Sequence, residues 1–309
     1  MEDHSKHVYE VALDVRRFFE IGESYRVFHG SSNSTRPRHG SQQNVVDISM
    51  LSNHVALVEP NVPMDRLVET TLTYGLVPPV VMEFPGITAG RGFSTGDSSS
   101  FRHGFFNDTV NSVEMILGNG DIIRASRQER QDLFHGAAGV AGTLGIVTLM
   151  DVRLVEAKNL VMTTYPKVTG VSDAVAEVQP QTENPNVDYV DAIMFSKEHS
   201  VIITGQLTDT MPAGGTLRTF SNAHGPWFYM HVSDKTRDLA PAATIVEYIP
   251  LGEYLFRYDR AGFLVGQQRY TYFKVIPFIK FFRWLLDDYS KWCFITVHGS
   301  RSSFTIRDS

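Results

Sequence analysis

The spacing of apolar residues predicts a chain built from short helices and short strands. From Val8 to Phe19, apolar side chains recur at three- and four-residue steps, which predicts a helix that ends at Gly22. Pro63 is positioned to open a second helix that runs to Gly75. Runs rich in β-branched residues predict strands at Tyr25–Phe28, Asn44–Ile48, Val55–Val58, Val113–Leu117, Ile122–Ala125 and Ile146–Val155. This mixture indicates an α+β fold.

The second part of the chain continues this pattern after a boundary that we place near Glu156–Lys158. A helix is predicted at Ser172–Val178, before a connection rich in proline and asparagine. The last stretch, Thr296–Ser309, is polar and aperiodic, which predicts a frayed tail. Further strands are predicted at Leu160–Tyr165, Val187–Phe195 and Val201–Leu207.

Composition narrows the classes of protein to which the chain can belong. Apolar residues make up 42% and charged residues 20% of the 309 residues, which is enough for a sizeable core and excludes wholesale disorder. The single cysteine, Cys293, excludes an intrachain disulfide and any metal site built from several thiolates. A net charge of −6 without a basic stripe argues against a nucleic-acid partner.

The sequence predicts neither a signal peptide nor a membrane-spanning helix. Met1–Glu10 is charged and lacks an apolar core behind a basic end. The longest stretch without Asp, Glu, Lys or Arg is Leu133–Met150, whose four glycines indicate loop and strand. The chain could still lie on a membrane surface. Because no HExxH pair and no Gly-x-Ser-x-Gly elbow occurs, we predict no metal site and no hydrolase of that class.

Three loops of small residues are candidates for ligand binding. His29–Thr35 offers hydroxyl and amide donors that suit phosphate, or forms a solvated cluster of turns. Gly86–Gly96 holds four glycines, which disfavours a regular helix or strand and leaves ligand binding and a mobile loop both open. Because Thr95 stands where a third glycine is needed, a nicotinamide Rossmann site is disfavoured. Gly136–Gly145 passes into a strand, where the backbone can contact a planar ring or simply pack tightly.

An aromatic and basic segment lies near the end of the chain. In Phe273–Leu286, aromatic and aliphatic residues are interleaved with Lys274, Lys280 and Arg283. This composition suits a helix at a membrane interface or beside an apolar pocket, and it also suits an amphipathic helix that faces the core.

Taken together, the loops resemble those of flavoproteins with the p-cresol methylhydroxylase (PCMH) and vanillyl-alcohol oxidase type of FAD-binding domain. Within that superfamily the chain is most similar to the delta(24)-sterol reductase family, also called 24-dehydrocholesterol reductases or diminuto/dwarf proteins. The finer match is carried by Thr88–Ser100 with His103, and by Val246–Arg257. The broader match covers about the first half of the chain and is carried by Val27–Arg36, Gly86–Gly90, Gly118–Asp121 and Gly142–Val147.

The resemblance implies an organisation and a cofactor site. It implies a PCMH-type FAD-binding domain of two α/β subdomains at residues 1–157, a partial α+β sterol-capping domain at residues 158–291, and an atypical tail at residues 292–309. The first loop would hold the pyrophosphate, the second would be the main FAD-contacting run, and the third would line the flavin. Because His29 precedes Gly30 rather than following a glycine pair, we expect noncovalent FAD. The implied cofactor-binding residues are His29, Gly30, Ser31, Ser32, Asn33, Ser34, Thr35, Thr88, Ala89, Gly90, Arg91, Gly92, Phe93, Ser94, Thr95, Gly96, Asp97, Ser98, Ser99, Ser100, His103, Gly142, Thr143, Gly145, Ile146 and Val147.

The resemblance also implies a reaction, partners and a location. Hydride would pass from NADPH through FAD to the C24–C25 double bond of a sterol such as desmosterol, which is a reaction on a CH–CH bond. The catalytic residues and the oligomeric state are left open. Family members act at the endoplasmic reticulum membrane, so we expect peripheral association with its cytosolic face, or a cytoplasmic location. Family members are longer and carry an N-terminal anchor, so we expect a C-terminally truncated form that binds FAD, with turnover left open. Two alternatives remain: a flavin oxidase of sugars or lactones from the same superfamily, and a noncatalytic flavin- or sterol-binding fragment.

Overall fold

The computed structural model describes residues 12–13, 15–22, 26–28, 45–47, 54–96, 103–240, 243–261, 264, 277, 279–285 and 304–308. Contacts between residues divide the chain into two compact units. One unit is Met1–His54 with Arg307–Ser309, and the other is Val55–Ile306. The described residues combine helices with several antiparallel sheets, which agrees with the predicted mixture of α and β structure.

The first unit contains a helix and two short strands. Residues 15–20 are helical, and Gly22 follows in a left-handed turn (φ +65°), as the sequence predicts. Strands β1 (Arg26–Phe28) and β2 (Val45–Asp47) pair in parallel, which confirms the strands predicted in these two segments. The loop His29–Thr35 lies outside the described residues.

The second unit contains most of the described helices and strands. The helices are α1 (Met64–Leu72), α2 (Ala89–Thr95), α3 (Gln131–Ala137), α4 (Val171–Glu183), α5 (Phe228–Thr236) and α6 (Leu251–Leu255), with α7 (Lys280–Leu285) nearer the C-terminus. The strands are β3 (His54–Val58), β4 (Leu76–Val77), β5 (Val110–Ile116), β6 (Ile122–Ser126), β7 (Ile146–Arg153), β8 (Val155–Glu156), β9 (Leu160–Thr164), β10 (Lys167–Val168), β11 (Tyr189–Ser196), β12 (His199–Thr208) and β13 (Val246–Pro250).

One antiparallel sheet places β3, β7, β5 and β6 side by side in that order. β5 and β6 form the hairpin that the Asn119-Gly120 turn predicts, with Ile116 opposite Ile122 and Gly120 at a φ of +88°. β5 also pairs with β7, so Ile116 lies opposite Ile146 at the point where the third glycine loop ends. This register brings that loop to the edge of the hairpin.

A second antiparallel sheet contains the predicted pair of strands from the later part of the chain. β12 lies between β11 and β9, β9 pairs with β13, and β10 pairs with the first residues of β12. The hydrophobic core extends from Ala56 to Tyr258 and includes buried residues on both sides of residue 157. The domain boundary near residue 157 therefore stays a prediction.

Three helices differ from the sequence predictions. The glycine-rich run at Gly86–Gly96 was expected to lack regular structure, but Ala89–Thr95 is a helix because both of its ends are capped. Gln131–Ala137 is helical where loop and strand were expected. α4 continues through Pro180 to Glu183, past the predicted end at Val178. Its last turn is held by side-chain bonds, including Thr182 Oγ1 donating to the Gln179 carbonyl at 2.7 Å.

The C-terminal stretch also differs from its prediction. Phe304–Asp308 forms a strand, β14, so the expected frayed tail is wrong for these residues. Alternating side chains in Phe304-Thr305-Ile306 have the period of two that suits a strand.

Candidate functional site

Helix α2 begins and ends at residues whose chemistry fixes its length. The Thr88 side chain accepts a hydrogen bond from Arg91 N at 3.4 Å, which satisfies one of the free amides at the helix start. Gly96 ends the helix in the left-handed conformation (φ +69°), and its amide donates to the Gly92 carbonyl. A seven-residue helix with two glycines is therefore stable in this position.

The glycines of α2 allow the helix to pack directly against backbone and side chains of the protein. A Cβ built on Gly90 would lie 2.5 Å from Pro60 Cβ, and one on Gly92 would lie 2.3 Å from Met82 Cε. The Gly90 amide donates to the Pro60 carbonyl at 2.8 Å. These glycines place α2 against the turn that follows β3.

The third glycine loop is hydrogen bonded to α2, although the bonded residues are 46 and 47 positions apart in the sequence. Gly139 N donates to the Phe93 carbonyl at 3.2 Å, and Ala141 N donates to the Ser94 carbonyl at 3.0 Å. At the far end of the loop, a Cβ on Gly145 would lie 2.7 Å from the Ile116 carbonyl oxygen. The loop is thus fixed at one end to α2 and at the other to the β5–β6 hairpin.

These elements enclose a cavity of about 600 Å³. Arg91 supplies a cation, and Thr88, Ser94 and Thr95 supply hydroxyl groups. Two apolar side chains of the lining are solvent-exposed: Leu144 is 45% and Ile146 is 67% exposed. The lining is formed by Pro60, Asn61, Thr88, Gly90, Arg91, Ser94, Thr95, Met115, Ala137, Val140, Ala141, Gly142, Leu144, Gly145, Ile146 and Val147. An amphipathic ligand with an anionic part and a flat apolar part would match this arrangement.

The cavity unites two of the three segments that the sequence singled out. Predicted site residues that line it are Thr88, Gly90, Arg91, Ser94, Thr95, Gly142, Gly145, Ile146 and Val147. Ala89, Gly92 and Phe93 are buried on the inner side of α2, where they pack in the core. Gly96, His103 and Thr143 are described but do not belong to the lining. Asp97, Ser98, Ser99 and Ser100 lie outside the described residues, as does the whole first loop.

Seven lining residues are not among the site residues that the sequence analysis names individually. They are Pro60, Asn61, Met115, Ala137, Val140, Ala141 and Leu144. Four of them, from Ala137 to Leu144, belong to the third glycine loop or the helix before it, so attention to the non-glycine members of that loop would have found them. Pro60 and Asn61 showed only a turn signal, and Met115 showed only the pattern of a strand.

The polar side chains of Val246–Arg257 form hydrogen bonds and ion pairs inside the protein. Glu247 is buried and accepts hydrogen bonds from His231 Nε2 at 2.7 Å and Arg218 Nε at 3.0 Å. Burial alone would raise the pKa of Glu247, but the hydrogen bond and charge of His231, together with Arg218, hold the pKa below its ordinary value. Glu253 accepts hydrogen bonds from the backbone amides of Phe220 and Ser221.

Arg257 is a second buried charge of this segment. Its guanidinium donates to the Tyr254 carbonyl at 2.8 Å and to Asp191 Oδ2 at 3.2 Å, and it lies 4.1 Å from the Tyr254 ring centroid. The Tyr258 hydroxyl also bonds to Asp191. Burial raises the pKa of Tyr254 to about 12, so this phenol is neutral at physiological pH. The segment therefore joins β13 and α6 to β11.

The aromatic and basic segment is described only from residue 279 to residue 285, with residue 277. Helix α7 buries none of its residues, and Ile279, Phe281, Trp284 and Leu285 are exposed. The alternative of a core-facing helix is therefore wrong for these residues. Across the described part of the chain, no helix is both long enough and apolar enough to cross a bilayer.

The known proteins that this chain is similar to include members of the family that the loop motifs resemble. The chain is 28% identical over 240 residues to the delta(24)-sterol reductase of Homo sapiens, a match that covers 76% of this chain and 44% of that protein. It is 29% identical over 261 residues to the delta(24)-sterol reductase of Pisum sativum, covering 79% and 45%. This chain is similar to delta(24)-sterol reductases.

A more distant relative extends the comparison. Cytokinin dehydrogenase 9 of Oryza sativa subsp. japonica is 28% identical over 174 residues, covering 51% of this chain and 33% of that protein. No family model matches the chain. The chain spans about half the length of the delta(24)-sterol reductases that it matches.

Proposed function

We propose that this chain is part of an FAD-linked oxidoreductase that acts on a sterol, in the manner of the delta(24)-sterol reductases. The observation that carries the proposal is the cavity in which α2 and the third glycine loop converge. Both segments were assigned to FAD from their resemblance to PCMH-type proteins. Their hydrogen bonds to one another, at 3.0 and 3.2 Å, support the assignment of both segments to one site.

The residues present fit a flavin dinucleotide. Arg91 and the hydroxyl of Ser94 suit the diphosphate, because guanidinium and hydroxyl groups donate to phosphate oxygens. The Thr95 hydroxyl instead donates to the Arg91 carbonyl at 2.8 Å. Leu144 and Ile146 expose apolar surface that a ring system would cover. Among the described residues that line the cavity, Arg91 is the cation available to a ligand with two phosphates.

Several residues at the cavity would then have defined roles in cofactor binding. When bound, a flavin supplies hydride transfer between a nicotinamide and a carbon centre. Arg91 would neutralise negative charge on the cofactor, and Leu144 and Ile146 would exclude water from one side of its ring. The pairing of Ile116 with Ile146 would hold that side in place. FAD is proposed to be noncovalent, NADPH to be the reductant, and a sterol side-chain double bond to be the site of reduction.

The proposed domain organisation and membrane contact follow from the same resemblance. Residues 1–157 are proposed as the FAD-binding domain, residues 158–291 as part of the sterol-capping domain and residues 292–309 as an atypical tail. Peripheral contact with the cytosolic face of a membrane is proposed on the exposed apolar residues of α7, together with the exposed Lys280, whose charge suits anionic lipid.

The test begins with the absorbance spectrum of the purified full chain. Flavin bands near the usual positions, bleaching on addition of NADPH, and recovery of colour only when desmosterol is added would support the sterol reductase. Recovery with oxygen alone would support a sugar or lactone oxidase. Bands that NADPH does not bleach would indicate a noncatalytic flavin-binding fragment, and a folded protein that binds no added FAD would refute the cofactor assignment.

An arginine variant links the spectrum to the cavity. Arg91→Met keeps an unbranched apolar stem and removes the charged guanidinium, so FAD affinity is expected to fall about tenfold. The matched control is Arg66→Met, because Arg66 is an exposed arginine of α1 that does not line the cavity. Equal FAD affinity in the two variants would place the cofactor elsewhere.

A further inference from the structure

Helix α4 leaves most of its apolar face exposed. Val171, Ala174, Val175 and Val178 recur with the spacing of one helix face, which predicts that this face packs on the sheet. Of the residues of α4, only Ala174 is buried, while Val171 is 54% and Val175 is 67% exposed. Between this face and strand β11 lies a cavity of about 480 Å³, termed the α4–β11 groove.

The α4–β11 groove combines an uncharged lining with an acidic helix. None of the described residues that line it is charged, and the exposed Met194 of β11 adds to its apolar surface. Helix α4 carries three carboxylates, on Asp173, Glu177 and Glu183, and no basic residue. None of these carboxylates forms an ion pair within the part of the chain that the structure describes. An apolar partner that carries basic residues would therefore suit this surface.

Helix α7 of the same chain has these properties. Phe281, Trp284 and Leu285 are 54%, 42% and 53% exposed, and their spacing of three and four residues places them on one side of the helix. Lys280 is exposed and has no ion-pair partner among the described residues. The helix contains no acidic residue. Its exposed side is thus apolar and basic, where the surface of α4 is apolar and acidic.

The contacts of α7 within its own chain leave this side exposed. The Trp284 ring stacks on His224 with 5.3 Å between the ring centroids, and Arg283 Nη1 lies 3.7 Å from Met230 Sδ. Helix α4 packs instead on β11 and β12. The apolar side of α7 is therefore available to another molecule.

Charge decides which surface of a second copy would cover the α4–β11 groove. Two copies of α4 would place carboxylates opposite carboxylates, and two copies of α7 would place cations opposite cations. Like charges that face each other across an interface oppose association. Contact of α7 with α4 instead places Lys280 opposite carboxylates and covers the apolar surface of both helices.

The available area suits a weak dimer. A phenylalanine or tryptophan side chain buries ~150–250 Å², and about half of Phe281 and of Trp284 is exposed. With Leu285 and a matching area of the α4–β11 groove, one contact would bury roughly 500 Å². Two reciprocal contacts would bury roughly 1,000 Å², which is close to the lower limit for a specific interface.

We infer that two copies of this chain associate by placing α7 of each copy in the α4–β11 groove of the other. The apolar side of α7 covers the exposed valines of α4, and Lys280 faces the carboxylates of that helix. Two-fold symmetry makes the two contacts identical. The association does not depend on the proposed oxidoreductase activity, because it uses no residue that lines the larger cavity. It excludes membrane contact through α7, because both use the same side of this helix.

Sedimentation of the full chain over a series of concentrations measures the association. A monomer–dimer equilibrium with a Kd on the order of 10 μM is expected. Val175→Arg and Phe281→Glu change exposed side chains of the two surfaces, and each is expected to raise the Kd about tenfold or more. The matched controls are Ala176→Arg, on α4 outside the groove, and Tyr74→Glu, an exposed aromatic residue after α1. Both are expected to stay within about twofold of the wild type.

Disulfide cross-linking identifies which surfaces meet. All chains carry Cys293→Ser, which removes the single native cysteine. A mixture of Val175→Cys chains and Phe281→Cys chains, treated with oxidised glutathione, is expected to form covalent dimers about fivefold faster than either variant alone. Val175→Cys chains that cross-link alone as fast as the mixture would show that α4 contacts α4, which would overturn the inference.

Sedimentation offers two further ways to overturn it. A wild-type chain that stays monomeric while Phe281→Glu abolishes its binding to vesicles of phosphatidylcholine and phosphatidylserine would show that α7 contacts membranes and not a second copy. A dimer that is lost in only one of the two variants, Val175→Arg or Phe281→Glu, would show that the two surfaces do not contact each other.

Discussion

Replacing Gly90 with alanine is expected to disturb the contact between α2 and the turn after β3. The new Cβ would lie 2.5 Å from Pro60 Cβ and 2.8 Å from the Pro60 carbonyl oxygen. Carbon atoms in contact normally lie about 3.5–4.0 Å apart, so the helix or the turn must move by roughly 1 Å. The 2.8 Å hydrogen bond from Gly90 N to the Pro60 carbonyl joins the same two elements and would be strained by this movement.

The size of the effect follows from two opposing contributions. Overpacking of this kind lowers the free energy of unfolding by about 1–3 kcal/mol. Alanine in a helix offsets about 1 kcal/mol of this, because glycine loses more backbone entropy on folding. The net loss is expected to be about 1 kcal/mol and at most about 2 kcal/mol. Gly118→Ala is the control, because no atom lies within 4 Å of a Cβ at Gly118 and its expected effect is within about 0.5 kcal/mol.

Urea unfolding followed by tryptophan fluorescence measures the change, with slopes compared between variants. FAD titration of the same proteins gives a second readout, because Gly90 and Pro60 both line the larger cavity. Gly90→Ala is expected to bind FAD more weakly than Gly118→Ala. An unfolding midpoint for Gly90→Ala equal to those of the wild type and Gly118→Ala would show that the helix and the turn are not in close contact.

Three further predictions concern groups outside this contact. The folded-state pKa of Glu247 is held below its unfolded value of 4.5, so its contribution to stability is present above pH 4.5 and is lost as pH falls through the folded-state pKa. Glu247→Gln should therefore flatten the acid side of the stability profile. Urea unfolding between pH 3 and 7 measures this profile. Arg257→Met leaves the partly buried Asp191 without its ion-pair partner and should lower the free energy of unfolding by about 3 kcal/mol in the same assay at pH 7. Recovery of that stability when Asp191→Asn is added to Arg257→Met would identify the unpaired charge as the cause. Thr88→Ala removes a helix cap and should cost about 0.5–1 kcal/mol, with Thr88→Ser close to the wild type; equal losses in both variants would contradict the capping role.

The strands were largely predictable because their local pattern and their tertiary environment agree. Val55–Val58 and Val201–Leu207 were assigned from apolar residues alone, and both lie in sheets that bury them. The Asn119-Gly120 turn fixed the β5–β6 hairpin, since glycine there adopts a φ of +88°. In each case the residues that specify the element lie within the element.

Helix α2 could not be predicted in this way because its stability comes from outside its own sequence. Two glycines in seven residues weaken an isolated helix by about 1 kcal/mol each. The cap at Thr88, the buried Phe93 and the close contact with Pro60 offset that loss. Loop contacts between residues far apart in the sequence, such as Ala141 N to the Ser94 carbonyl, are likewise invisible before the fold is known.

The glycine pattern that suggested a ligand site has a structural cause at most of its positions. Gly90 and Gly145 are required by contacts with protein atoms, at Pro60 and at the Ile116 carbonyl. Gly142 differs, because its nearest neighbour to a Cβ is 3.7 Å away and its φ is +80°, so it serves the turn of the loop. None of these three glycines therefore requires a ligand. The inference of a cofactor rests instead on the arginine, hydroxyl and exposed apolar side chains that the glycine-mediated contacts bring to one cavity.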